Sequence, residues 1–277
     1  MEMTKQKSNV IQDYEKVWEN WTQKEDLVAT IGHHQKTRGR FLETLGNAIS
    51  NLHKGGRIIE LGCGTAIDIG ILSEKFVEYD FYATDLSKNA AKLAARVSRK
   101  FQNRFNVFVS DIKNLPFTDN ALDLIFSQGV MEHFKDPMPV FLEQVRALKP
   151  GGFLIVNVPQ KYTGYTLFKH SRIKKGTWDL GWEQEFSYKQ LRAIGKDIDL
   201  TEIEVLGYSY WKSWKEPAFV LRDLMDKCCR FSPVGLRIIL RLPQEAYNRM
   251  WECLEKKWGH FFMQNIVIVS KKMNNGK

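Results

Sequence analysis

The run Ile58-Ile59-Glu60-Leu61-Gly62-Cys63-Gly64-Thr65-Ala66 constrains this chain most, because an apolar segment breaks there into a turn with two glycines. The apolar part predicts a buried strand, and the glycines let backbone approach a bulky ligand where a Cβ would clash. The pattern is not the dinucleotide fingerprint G-x-G-x-x-G, since Ile67 occupies the position of its third glycine. An acid, Glu60, stands two residues before the first glycine, and small Ala66 two after the second. Alone, this turn reads as a nucleotide-type ligand loop, with a plain strand-to-helix turn as the alternative.

The next hundred or so residues repeat one scheme. Asp68 to Phe76 carries Ile69, Leu72 and Phe76 at helical spacing, and Asp80-Phe81-Tyr82-Ala83-Thr84-Asp85 predicts a short strand ending on an acid. Ser87 can cap a helix through Lys100, rich in alanine, and Asn106 to Asp111 is again strand then acid. Leu122 to Ser127 predicts a fourth strand. Asp136-Pro137 opens a helix that runs to Leu148 and stops at Lys149-Pro150-Gly151-Gly152, before a fifth strand over Phe153 to Val158. Strands alternating with helices imply a doubly wound α/β sheet with ligands at the carboxyl ends of the strands, where Glu60, Asp85 and Asp111 sit.

Beyond Pro159 a basic, aromatic stretch with Lys161, Tyr162, Tyr165, Lys169, His170, Trp178 and Trp182 reads as an excursion over that face. Ser187 to Gln190 is a capping-box pattern that restarts a helix. Thr201 to Tyr210 and Phe261 to Val269 predict a sixth and a seventh strand, separated by a long, mainly helical insertion over 212–259.

A chain of 277 residues with 43% hydrophobic content can bury one good-sized core, and two full domains would be cramped. The expected organisation is an N-terminal helical arm or lid over 1–50 and one domain over 51–277. The formal charge of +9 permits an anionic partner without choosing among RNA, a phosphorylated substrate and a membrane surface. Cys63, Cys228, Cys229 and Cys253 lack the spacing of a zinc site or a disulfide framework, so no metal is expected and a reducing cytoplasm fits. The N-terminus has no apolar signal region, and no run approaches the ~18 apolar residues that a membrane span needs.

Taken together the motifs resemble the class I S-adenosylmethionine-dependent methyltransferases, and among them the broad type 11 group. The likeness covers roughly Arg57 to Val158. It rests on Ile59-Glu60-Leu61-Gly62-Cys63-Gly64, Thr84-Asp85-Leu86-Ser87, Ser110-Asp111-Ile112, Asp123-Leu124-Ile125-Phe126-Ser127 with Glu132-His133, and Leu148-Lys149-Pro150-Gly151-Gly152. It implies a seven-stranded, mostly parallel Rossmann-like sheet in the order 3-2-1-4-5-7-6 with the last strand antiparallel. It also implies S-adenosylmethionine as cofactor. Gly62, Cys63 and Gly64 would form the cofactor turn, with Cys63 a small filler, while Glu60 holds that turn or bonds the cofactor's amino group through water. Asp85 would accept from the ribose hydroxyls and Asp111 from the adenine amino group, Leu86 and Ile112 would press on the ring faces, and Ser127 and Gln128 would turn backbone carbonyls toward the ammonium. His133 is the candidate base, with a packed or capping histidine the equal alternative.

The implied reaction is in-line methyl transfer, in which the protein chiefly aligns donor and acceptor. Substrate identity is expected in Pro159 to Trp182 and Tyr208 to Gly259. The preferred acceptor is a small molecule, amphiphilic or acidic. RNA is the enzyme-class rival, a non-catalytic cofactor-binding scaffold the other, and DNA is not expected. The basic segment around Arg237 and Arg241 suggests peripheral membrane contact, a lid or a dimer surface. Tyr14, Val17, Trp18 and Trp21 are read as packing, with closure over the cofactor as the alternative.

Overall fold

The computed structural model describes residues 15, 18, 19, 31–33, 38–178, 182–208, 249, 253, 259–261 and 263–273. Its strands are β1 Arg57–Leu61, β2 Asp80–Asp85, β3 Asn106–Val109, β4 Leu122–Gln128, β5 Leu148–Pro159, β6 Leu200–Tyr208 and β7 Asn265–Lys272. They form one sheet in the order β3-β2-β1-β4-β5-β7-β6. The first five pair parallel, and β7 lies antiparallel to both β5 and β6. The expected class and strand order are therefore present. The insertion over 212–259 lies outside the described residues except at 249, 253 and 259, as do Tyr14, Val17 and Trp21.

Alternation along each strand explains why both faces are covered. Ile58, Phe81, Leu124, Phe126 and Ile155 point into one apolar layer, where they meet Phe41, Leu45 and Ile49 of helix α1 (Gly39–Ser50) and Ile69 and Leu72 of α2 (Ile67–Lys75). The same layer takes Leu93, Ala94 and Val97 of α3 (Lys88–Ser98). Ile59, Leu61, Ile125, Leu154 and Val156 point the other way, onto Val140 and Phe141 of α4 (Met138–Ala147) and Leu191 of α6 (Tyr188–Asp197). Burying each such side chain contributes about 1.5–3 kcal/mol, so both layers matter to stability. Between β5 and α6 lies α5 (Gly164–Lys174), capped by Thr163.

Local signals hold at the caps. Ser87 Oγ accepts from the Ala90 N–H, and Ser187 with Gln190 forms the full capping box. Four boundaries differ from expectation. The Lys149 to Gly152 stop is a bulge inside β5: Leu122 pairs with Leu148 but Leu124 with Phe153, and Gly151 adopts φ 76°. The third strand ends at Val109, because the following Asp111 carboxylate closes a turn on the Lys113 N–H. The sixth strand begins at Leu200, and its described part ends at Tyr208. The seventh begins at Asn265, since Phe261 is still helical. Among the described residues, no helix is long and apolar enough to cross a membrane.

Candidate active site

Strand order reverses between β1 and β4, which opens a crevice at the carboxyl ends of the parallel strands. A cavity of about 350 Å³ lies there. Gly62 lines it from the turn after β1, Asp85 and Leu86 from the end of β2, Asp111 and Ile112 from the turn after β3, and Gly129, Val130, Glu132 and His133 from the segment after β4.

The glycine turn is bound to the second strand end. Gly62 (φ 61°) and Gly64 (φ 51°) are left-handed, a conformation that disfavours any side chain. A Cβ on Gly62 would stand 2.5 Å from Val130 Cγ2, and one on Gly64 2.5 Å from Trp18 Cη2. The N–H of Cys63 donates to Thr84 O at 2.9 Å, and that of Gly64 to Asp85 Oδ2 at 2.9 Å. Oδ1 of Asp85 accepts the Ser87 N–H at 2.9 Å. Burial raises the Asp85 carboxyl above its ordinary range, opposed by the backbone N–H groups of Ser87, Gly64 and Leu86.

Not every expected residue faces this space. Glu60 lies behind the turn, where Oε2 accepts the Ile69 N–H at 3.4 Å. Burial and then Asp68 push its carboxyl well up, with Arg38 opposing. The bond to the Ile69 N–H ties the end of β1 to α2, the helix that follows the turn. Cys63 is buried, and desolvation raises its thiol, which suits filler and not nucleophile. Gly64 is covered by Trp18. Ser127 is buried, the Gln128 side chain accepts from Arg38 at 3.4 Å, and Gly129 and Val130 line the cavity. Gly129 is left-handed (φ 68°).

His133 ends a short 3₁₀ turn, Met131–His133. Its Nδ1 lies 3.1 Å from the carbonyl of Trp182; a carbonyl only accepts, so Nδ1 carries the proton and Nε2 is the acceptor nitrogen. Burial lowers its pKa and favours the neutral ring. The strand-like segment carrying Trp182 also straps the turn through the Gln184 N–H on Glu132 O at 2.9 Å.

Three participants, Glu15, Glu132 and Glu183, have no role announced in the sequence, and Trp18 stands beside them. Trp18, expected as packing, packs against the core and also lines the cavity. Glu15 accepts from Lys88 N, Asn89 N and Ser87 Oγ at 2.7, 3.2 and 3.0 Å, over the N-terminus of α3. Glu132, part of a motif but without an expected role, is 3% exposed, and burial raises its carboxyl to about 8. Glu183 lines the same cavity and holds Lys169 at 3.2 Å. Lys169, counted among the basic residues of its stretch, is buried and also paired with Glu185, so it offers nothing to an external anion. The Glu183-Gln184-Glu185 alternation is the one local hint, because residues two apart share a face in extended chain. Among the described residues no group of three His, Cys, Asp or Glu is arranged to hold a metal.

Comparison with known proteins agrees with this geometry. Residues 59–156 match the methyltransferase domain family. A malonyl-[acyl-carrier protein] O-methyltransferase of Marinomonas sp. (strain MWYL1) is 32% identical over 110 residues, 39% of this chain and 40% of that protein. A demethylmenaquinone methyltransferase of Bacillus pumilus (strain SAFR-032) is 23% identical over 212 residues, 69% of this chain and 87% of that one. The chain thus spans well under half of the first relative. In fold it resembles phosphoethanolamine N-methyltransferase 2 of Haemonchus contortus, solved with phosphomonomethylethanolamine and S-adenosylhomocysteine. Their TM-score is 0.55 at 19% identity, over 88% of this chain and 57% of the other.

Proposed function

We propose that the chain, whose residues 59–156 match the methyltransferase domain family, transfers a methyl group from S-adenosylmethionine to a small-molecule acceptor. The observation that carries this reading is that Gly62, Asp85, Leu86, Asp111 and Ile112, drawn from three strand ends, surround one cavity. When bound, the cofactor supplies a methyl carbon on a positive sulfur, the electrophile that no side chain can provide.

The residues fit that group. Both carboxylate oxygens of Asp85 accept backbone N–H groups, and lone-pair capacity is left for a ribose hydroxyl. Asp111 is exposed at the rim and suits the adenine amine, with Leu86 and buried Ile112 for the ring faces. Trp18, with Glu15 on the N-terminus of α3, serves as a lid from the N-terminal arm. His133, neutral with Nε2 as acceptor, takes the acceptor's proton. A small acceptor suits a site whose remaining wall is short and apolar, built from Val130 and Phe134 beside Glu132 and Glu183.

Calorimetric titration with S-adenosylmethionine and S-adenosylhomocysteine tests the reading. Saturable binding of both by the isolated chain is expected, and no binding at millimolar concentration overturns it.

A further inference from the structure

Glu132 is buried on the wall of the cavity, yet its Oε2 has no hydrogen-bond partner. A buried carboxylate oxygen left so is costly, and native structures keep few of them. Its surroundings are short of positive charge. Glu183 lines the same cavity, and the nearby ammonium of Lys169 is already shared between Glu183 and Glu185. The carboxylates Glu132, Glu183 and Glu185 thus meet a single buried lysine. His170, on Glu185 at 3.1 Å, is half exposed and outside the cavity wall, and His133 on the cavity side tends to the neutral form.

We propose that Glu132, backed by Glu183, is the acceptor subsite, and that it takes a primary or secondary amine bound as its ammonium. This deepens the methyl-transfer reading above and rests on it. An ammonium entering here supplies the missing counter-charge and, once the Glu132 carboxyl rotates toward the cavity, the donor that Oε2 lacks, while Val130 and Phe134 receive the amine's apolar body. One proton leaves the ammonium for His133 before the nitrogen lone pair is available, and a remaining N–H keeps its bond to Glu132. An acidic acceptor, one of the two kinds expected from the sequence, would meet the Glu132 and Glu183 carboxyls instead. The raised pKa of Glu132 agrees, because Glu183 is among its causes and a bound cation would reverse it.

The test uses two matched series on the full chain saturated with S-adenosylhomocysteine: phenethylamine, phenethyl alcohol and phenylacetate, then hexylamine, hexanol and hexanoate. Binding is read by calorimetry and by the shift in thermal midpoint. The amine of at least one series should bind about ten- to hundredfold more tightly than its alcohol and carboxylate, the range of a charged hydrogen bond. Glu132→Gln should abolish that preference and leave S-adenosylhomocysteine affinity unchanged. An amine preference below about tenfold in both series overturns the proposal, as does absence of amine binding in both. So does joint loss of amine and S-adenosylhomocysteine binding in Glu132→Gln, which would assign the carboxylate to the cofactor. Failure of the unmutated chain to bind S-adenosylhomocysteine counts instead against the reading on which this one rests.

Discussion

Asp85 accepts the backbone N–H of Gly64 at 2.9 Å, so the acid at the end of β2 also holds the glycine turn at the end of β1. The carboxylate therefore has two tasks, and substitution should disturb both. Asp85→Asn should weaken S-adenosylmethionine by about ten- to hundredfold, the worth of one charged hydrogen bond. It should also lower the thermal midpoint, because Gly64 and Ser87 share its oxygens. Calorimetry and thermal melts read the two effects; an unchanged affinity would remove the ribose assignment.

The side chain of Val130 occupies the space into which a Cβ on Gly62 would point. Gly62→Ala forces a Cβ into a left-handed backbone and within 2.5 Å of a stiff β-branched side chain. It should cost about 1–3 kcal/mol in urea denaturation. Val130→Ala in the same chain should recover part of this, and a double-mutant cycle with no coupling would refute the contact.

Glu132 should make stability depend on pH. Its folded pKa is about 8 against an ordinary 4.5, so below about 4.5 both states hold the proton and the group contributes nothing. Between these values the folded state keeps a proton that the unfolded state has lost. Stability therefore falls as pH rises through this window, and the full penalty stands above it. Glu132→Gln should flatten that slope and gain on the order of a few kcal/mol at pH 8 to 9. Denaturation curves at several pH values check this, and an unaltered slope would contradict it.

Arg38 pairs with Asp68, whose side chain is fully buried. Arg38→Met leaves that carboxylate without its cation and should cost about 3–5 kcal/mol. Adding Asp68→Asn should restore much of the loss. Equilibrium unfolding of the two variants decides it, and an unaffected single variant would show that the pair is not structural.

His133→Asn should lower kcat more than it weakens cofactor binding. Burial lowers the pKa of His133, so the acid limb of the rate profile should lie below the ordinary histidine value of 6.5 and vanish in the variant. A limb that persists would leave His133 a purely structural residue tied to Trp182.

Much of the site is legible locally. The strand-ending acids Asp85 and Asp111 and the glycines can be read because period-two apolar runs and turn residues encode strand ends within a few residues. The bulge at Lys149 to Gly152 reads as a stop, since proline and glycine interrupt a helix and a paired strand alike, and only pairing with β4 separates the cases. Lys169 looks like surface charge for a similar reason: no neighbour in sequence announces the carboxylates of Glu183 and Glu185 that bury it.

The amino-acid order alone encodes the alternation of strands and helices, the caps at Ser87 and Ser187, and the edge of the sheet on which a ligand must sit. These depend on interactions between residues a few positions apart, which composition and spacing carry directly. Packing in three dimensions was needed to turn Glu60 toward the helix of Ile69 and away from the cavity, to lay Trp18 over Gly64, and to bury Glu132 with an orphaned oxygen beside Glu183. The energy of a charge is set by its solvent and its counter-ions, and those come together only when distant segments of the chain pack.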